Sequence, residues 1–437
     1  MNKKIPVSIF WFRRDLRLDD NAGLYHALKG PNPVLPVFIF DREILGQLED
    51  KDDARVTFIY NTLAGLDQQL QKHGSSLLVL HDKAEDAWHK LLRDYDITAV
   101  YTNHDYEPYA LKRDGIIKSL LKQKDIPLYT FKDQVIFEMD EVLKDDGKPY
   151  TVYTPFNRKW YQKLTHFYLK AYPNKKYSAH FLQTEPLPMP ALNDLGFEKS
   201  SLYFPTIHYK EFIAAYQEKR DFPAVNGTTH IGLHLRFGTV SIRELARTAN
   251  EFKEKTWLNE LIWREFYMMI LYYFPQTATN SFKPEYDRIK WVNNEQQFEA
   301  WCKGQTGYPL VDAGMRELNS TGYMHNRVRM LVASFLSKHL LIDWRWGERY
   351  FARKLLDYEM ASNVGGWQWS AGSGTDAAPY FRIFSPDAQL RKFDPDLKYI
   401  KKWVPEYADF SKYPQPIIDH AYARERCLKV FKEALSV

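Results

Sequence analysis

Val7-Ser8-Ile9-Phe10-Trp11-Phe12, running into Arg13-Arg14-Asp15-Leu16-Arg17-Leu18-Asp19-Asp20-Asn21, decides how the first third of the chain reads. A short run of β-branched and aromatic residues that is apolar throughout, not alternating, is a strand buried on both faces. Comparable runs recur at 34–40, 76–80, 99–102 and 128–131, with polar–apolar stretches at helical spacing between them, such as 54–73 and 84–95. Strands separated by helices predict a doubly wound parallel sheet, an α/β domain over 1–131. The turn after the first strand carries no Gly-x-Gly-x-x-Gly. It is therefore not an ordinary dinucleotide-binding start, which suggests another ligand or another job.

Beyond this domain the periodicity fades. Residues 132–205 are rich in Pro, Tyr and Lys, and Pro186, Pro188 and Pro190 break any regular element, so this segment is expected to be an interdomain linker wrapping the first domain. From 206 to 437 strand signals vanish and helical patterns follow at 209–220, 242–252, 256–273, 296–303, 311–320, 326–340 and 346–356. The expected fold is thus α/β plus all-α, with the helical domain second.

A chain of 437 residues can bury large cores, and 45% hydrophobic with 26% charged residues is ordinary for a globular protein. Apolar runs such as 34–40 are too short to span a bilayer, and the first residues lack a signal-peptide apolar region. Cys302 and Cys427 are the only cysteines, which excludes a disulfide framework and a thiolate zinc site. These features predict a cytoplasmic protein without membrane association. A net charge of +5 permits nucleic acid as a partner without arguing for it.

In the second domain the densest stretch is Asp357-Tyr358-Glu359-Met360-Ala361-Ser362-Asn363-Val364-Gly365-Gly366-Trp367-Gln368-Trp369. Its glycine pair lets backbone approach something closely. Trp367 and Trp369, two apart, point to opposite sides if the segment is irregular or extended, one toward a buried cofactor and the other toward an open cavity. A turn between core helices with packed tryptophans would read the same way. Glu260 and Trp263 share a helix face, as either a solvated acid beside a core indole or a cavity wall. Asn326 and Met330 share another, while Arg327 and Arg329 need anions, for which Asp357 is one candidate. The hydroxyl-rich turn at 227–232 suits either a phosphate or a helix cap. His230 and His234 are four apart, but no third metal ligand follows at a useful spacing.

Several longer motifs carry a family resemblance. Trp11-Phe12-Arg13-Arg14-Asp15-Leu16-Arg17, Thr306-Gly307-Tyr308-Pro309-Leu310-Val311-Asp312-Ala313, Asn326-Arg327-Val328-Arg329-Met330 with Ala333-Ser334-Phe335-Leu336, and Gly374-Thr375-Asp376-Ala377-Ala378-Pro379-Tyr380-Phe381-Arg382 resemble the photolyase and cryptochrome family, in order and over nearly the whole chain. The likeness is to class I cyclobutane pyrimidine dimer photolyases. It implies a light-driven lyase acting on ultraviolet-damaged DNA as a monomer, with FAD, active when reduced, in the helical domain. The flavin site would use Tyr216, Thr228, Thr229, His230, Ile231, Gly232, Trp257, Arg264, Arg329, Asp357, Tyr358 and Glu359, with Asn363 at the flavin N5 edge. Gly232 replaces the family's usual serine, and Glu359 its usual shorter acid.

The resemblance further places Glu260, Trp263, Asn326, Met330 and Trp369 around a flipped-out dimer, with Glu260 as catalytic acid, and Arg220, Arg327 and Arg382 at DNA phosphates. Trp367, Trp344 and Trp291 match a tryptophan chain that carries an electron from surface to flavin. Glu107 matches a position where folate-binding relatives hold their pterin, with a deazaflavin, a second flavin or an empty antenna site as alternatives. A signalling cryptochrome and a six-four photoproduct photolyase are the rival readings. The intact Trp263, Met330, Trp369 and Asn363 argue against the first, and Asn326 and Met330 in place of a histidine pair against the second. A non-photochemical flavoenzyme would leave the tryptophan chain without a use.

Overall fold

All five apolar runs are parallel strands in the computed structural model, which describes residues 5–409 and 411–436. They are β1 (Pro6–Phe12), β2 (Val34–Asp41), β3 (Leu78–Asp82), β4 (Asp96–Asn103) and β5 (Leu128–Phe131), in the order β3-β2-β1-β4-β5. Central β1 pairs with β2 from Ser8↔Val34 to Phe12↔Phe38 and with β4 from Pro6↔Asp96 to Phe10↔Tyr101. Its residues from Val7 onward and all of β2 are buried, which is why both read as continuous apolar runs. The crossovers carry α1 (Ala22–Leu28), α2 (Ala54–Gln71), α3 (Ala84–Asp94) and α4 (Pro108–Lys122). Asn21 caps α1, its side chain accepting from the Leu24 N–H while Nδ2 donates to the Asp15 carbonyl.

The arginine-rich turn after β1 has a structural job. Arg17 donates to Asp133 at 2.7 Å, and Arg243 to Asp20 and Asp133 at 2.8 Å each. Arg13 pairs with Asp114, and Arg14 with Asp105 and Glu107. Buried guanidiniums persist when each meets a carboxylate in this way.

The chain divides into two compact units that are not contiguous in sequence. The sheet unit runs through Glu138 and adds Leu164–Ile207 and Ile231–Glu251; the helical unit comprises Met139–Lys163, His208–His230 and the chain from Phe252. The expected boundaries at 131/132 and 205/206 do not match this division. The helix Ile242–Glu251, read with the second domain, joins the sheet through Arg243. Conversely, α5 (Tyr153–Lys163), inside the expected linker, lies with the helices, and its Trp160 N–H donates to Glu265 at 2.7 Å.

Within the helical unit the site rests on α6 (Thr256–Tyr273), α7 (Asn326–Ser334), α8 (Trp344–Lys354) and α9 (Met360–Ala371). The 209–220 pattern gives short turns, Lys210–Ile213 and Tyr216–Lys219, and the 326–340 pattern gives α7 followed by a π-helical turn, Phe335–His339. The glycine-containing stretch before Trp367 is helical: α9 tolerates Gly365 because the Tyr267 ring occupies the space a side chain would need. Trp301, Trp344 and Trp367 anchor the core of this unit. No helix among the described residues is long and apolar enough to cross a membrane.

Candidate functional site

Helical spacing assembles the cavity. Glu260, Trp263, Arg264 and Tyr267 on α6, and Asn326, Arg329, Met330 and Ala333 on α7, are i, i+3, i+4, i+7 stripes that face one cavity of about 420 Å³. From α9 come Ser362, Asn363, Gly366, Trp367, Trp369 and Ser370, with Asp357, Tyr358 and Glu359 just before it. The expected flavin residues Arg264, Arg329, Asp357, Tyr358, Glu359 and Asn363 therefore share one cavity with the expected dimer residues Glu260, Trp263, Asn326, Met330 and Trp369.

Three guanidinium–carboxylate pairs line the cavity, Arg264–Glu359, Arg329–Asp357 and Arg220–Glu260. Arg264 binds Glu359 through Nε and Nη2, both at 2.9 Å, so the longer acid at 359 makes a full bidentate pair. Arg329 donates from Nη2 to Asp357 Oδ2 at 2.9 Å and from Nε to the Met324 carbonyl at 2.7 Å. Asp357 Oδ1 is buried with no hydrogen-bond partner. Such an orphan acceptor at a cavity wall suits a ligand donor.

Glu260 faces Arg220 Nη1 across a short ion pair. Burial raises its pKa and Arg220 opposes the rise. Arg220, which the resemblance assigns to a DNA phosphate, lines the cavity with its guanidinium on Glu260. Arg327 is likewise engaged, donating to Asp221 at 2.6 Å with its guanidinium 4.5 Å from the Phe393 ring. Arg382 is exposed, and among the described residues its guanidinium has no carboxylate partner.

Asn363 donates from Nδ2 to Glu348 Oε1 at 2.9 Å and to the Glu348 carbonyl at 3.2 Å, which leaves its own Oδ1 as an acceptor. Burial raises the pKa of Glu348, while the Asn363 amide lowers it. Glu348 was missed in the sequence, because a lone acid on an amphipathic helix carries no signal. Tyr267 was legible in principle, one turn beyond the Glu260, Trp263, Arg264 pattern.

Other expected flavin residues lie off the cavity wall. Thr228 Oγ1 is 3.2 Å from the Tyr323 hydroxyl, and the His230 ring is 4.0 Å from the Tyr323 ring, with Arg329 5.6 Å from that same ring. Thr229 is buried, and His230 adopts φ 49°. Ile231 and Gly232 open the short helix Gly232–Phe237 of the sheet unit. In that unit His234 uses both ring nitrogens, on Thr239 and the Pro205 carbonyl. Tyr216 lies under Arg220 at 5.3 Å, and buried Trp257 stacks on Tyr209 at 5.9 Å.

Trp344 and Trp367 are buried in one core, with half-buried Trp291 packed against it. A further indole, Trp301, stands 6.0 Å from Trp367 and donates its N–H to the Val332 carbonyl. Glu107, the antenna candidate, is held by Arg236 at 2.6 Å and Arg14 at 3.1 Å. These partners give its carboxylate a structural use.

Comparison with known proteins accounts for both units. A family model described as DNA photolyase matches residues 8–177, and one described as the FAD binding domain of DNA photolyase matches 257–412. A deoxyribodipyrimidine photo-lyase of Halobacterium salinarum is 35% identical, across 98% of this chain and 99% of the relative. The crystal structure of a class III photolyase from Agrobacterium tumefaciens superposes with a TM-score of 0.89 at 33% identity, covering 100% of this chain and 99% of that one. An archaeal photolyase from Sulfolobus tokodaii, solved with two FAD molecules, gives 0.83 at 36% identity, covering 98% of this chain and 100% of that one. The shared architecture, the paired charges lining the helical cavity and these full-length similarities have one reading: the chain belongs to the DNA photolyase family.

Proposed function

We propose that this chain is a deoxyribodipyrimidine photolyase, a light-dependent lyase that reverses cyclobutane pyrimidine dimers in DNA with FAD as its cofactor. It would act as a cytoplasmic monomer, a setting that suits the free thiols of Cys302 and Cys427. One observation carries the reading: a single cavity is lined by Arg264, Arg329, Asp357, Tyr358, Glu359 and Asn363 of the cofactor set and by the lesion residues Glu260, Trp263, Asn326, Met330 and Trp369.

The residues present fit FAD. Arg264–Glu359 and Arg329–Asp357 supply fixed charge, Asp357 Oδ1 awaits a donor, and Asn363 Oδ1 offers an acceptor. Gly366 faces the cavity with nothing within 4 Å of where a Cβ would stand, so the α9 backbone leaves room for a flat ring system. When bound and reduced, FAD supplies the light-excited electron that this chemistry requires. The chain's own residues do the rest. Photolyases are among the enzymes that take their target out of the base stack, and Trp263, Met330 and Trp369 provide the apolar surface that replaces the lost stacking. Asn326 and Glu260, both on the cavity wall, would offer hydrogen bonds to base edges, and Glu260 would stabilise charge on a pyrimidine carbonyl. Trp367, Trp344 and Trp291, in and around one core, would serve as relay indoles.

The test uses purified, light-reduced holoprotein and an oligonucleotide carrying one thymine cyclobutane dimer. Recovery of thymine absorbance under blue light, absent in the dark, is the expected result. Binding of the damaged strand without recovery would favour a photoreceptor, or an enzyme for the six-four lesion.

A further inference from the structure

Tyr153, the first residue of α5, stacks on Trp263 with ring centroids 3.6 Å apart and planes 7° from parallel. The indole also meets Phe266 edge-on at 5.7 Å and Tyr267 at 5.6 Å. Trp263 lines the cavity but Tyr153 does not, so Tyr153 covers the indole from behind. Its own placement is over-determined. The hydroxyl donates to the Asn259 carbonyl at 3.0 Å, one helical turn before Trp263, and accepts from Asn157 Nδ2 at 3.0 Å. Asn157 and Tyr161 both also donate to Asn259 Oδ1, at 3.0 and 3.1 Å. The Tyr153 backbone N–H donates to Asp376 Oδ2 at 3.1 Å, and Thr375 Oγ1 donates to the Thr151 carbonyl at 2.6 Å.

A tryptophan on a cavity wall can swing about its side-chain torsions unless neighbours exclude the other rotamers. A wall that stacks on a planar ligand tolerates only small angular error. We propose that Tyr153 is a positioning residue for the lesion site, holding the Trp263 indole at the angle at which it stacks on the flipped pyrimidine pair. This rests on the repair reading above. The residue acts through Trp263 and reaches the site from a segment whose sequence resembles a connection.

Holoprotein variants Tyr153→Phe, Tyr153→Leu, Trp263→Ala and the Tyr153→Leu/Trp263→Ala double would be titrated in the dark with an oligonucleotide with and without one cyclobutane dimer. Tyr153→Leu is expected to lower the preference for damaged over undamaged strand by about fivefold to tenfold, the worth of one aromatic pair. Tyr153→Phe keeps the ring and should retain the preference. In the Trp263→Ala background, Tyr153→Leu should add nothing further, because contacting residues that act as a unit are non-additive. A purely structural role would give losses that multiply, and that result would overturn the proposal, as would a wild-type preference in Tyr153→Leu. Should Tyr153→Leu lose its flavin, Tyr153→Met, which fills the volume without a planar face, carries the same expectations. If the wild type shows no preference for the dimer, the repair reading itself fails and the inference with it, an outcome distinguishable because it precedes any substitution.

Discussion

Glu260 cannot serve a pyrimidine carbonyl and a pyrimidine N–H together unless it carries a proton, since an ionised carboxylate only accepts. Burial raises its pKa and the Arg220 guanidinium pulls it back, so the pair is a tuned acid. An acid with a raised pKa keeps its proton further up the pH scale and loses it as pH rises through that value. Repair per absorbed photon should therefore fall on the alkaline side. Arg220→Ala should move that fall to higher pH, and Glu260→Gln, which donates and accepts without titrating, should abolish it. Glu260→Ala should lower the yield by a factor on the order of ten, the worth of one hydrogen bond to a charged group. A Glu260→Gln profile identical to the wild type would refute the assignment. The identities of these residues were legible in the sequence, but their partners were not. Asp357, the anion the sequence offers Arg329, does pair with it, whereas Glu260, 40 positions from Arg220, becomes its neighbour only through folding. Arg327 with Asp221 and Glu107 with Arg14 and Arg236 repeat that lesson.

At the scale of elements, α9 carries the most contradictory local signals. Two adjacent glycines weaken a helix by about 1 kcal/mol each, so the sequence invites an irregular segment. Tertiary packing overrides the propensity, and the glycines have separate uses. A Cβ at Gly365 would stand 2.3 Å from the Tyr267 ring, whereas one at Gly366 would meet nothing within 4 Å and look into the cavity. Trp367 and Trp369 still project to different sides, now because two residues turn a helix through about 200°. Gly365→Ala should thus destabilise the protein by about 1–3 kcal/mol through overpacking. Gly366→Leu should instead raise apoprotein stability by about 0.5–1 kcal/mol while sharply reducing the FAD retained on purification. Denaturant midpoints and flavin absorbance separate the effects, and a Gly366→Leu protein with full flavin content would show that α9 does not border the cofactor. The strands and long helices were readable because burial repeats at 2.0 or 3.6 residues. The placement of α5 was not, since a short helix among prolines gives no hint of which unit it joins, and Tyr153 was overlooked with it.

For the molecule as a whole, charge is mild on average and local in effect. With 60 Lys and Arg against 55 Asp and Glu, net charge alone cannot drive tight binding to a polyanion. Most site arginines are already committed to carboxylates, so they contribute little to counterion release, which follows the phosphates actually neutralised. Arg382 differs in being exposed, 5.5 Å from the Phe384 ring, with its own carbonyl accepting from buried Lys338 at 3.0 Å. A backbone pinned from inside with a charged tip outside is compatible with the proposed phosphate contact. Arg382→Ala should weaken damaged and undamaged DNA alike and reduce the slope of log affinity against log salt by about one. Arg220→Ala should barely alter that slope, yet should lower the preference for the dimer. Titrations of both oligonucleotides across a salt series would check the pair of expectations. Equal slope changes in the two variants would mean that Arg220 leaves Glu260 for a phosphate when DNA binds, and that the cavity is rearranged by its substrate.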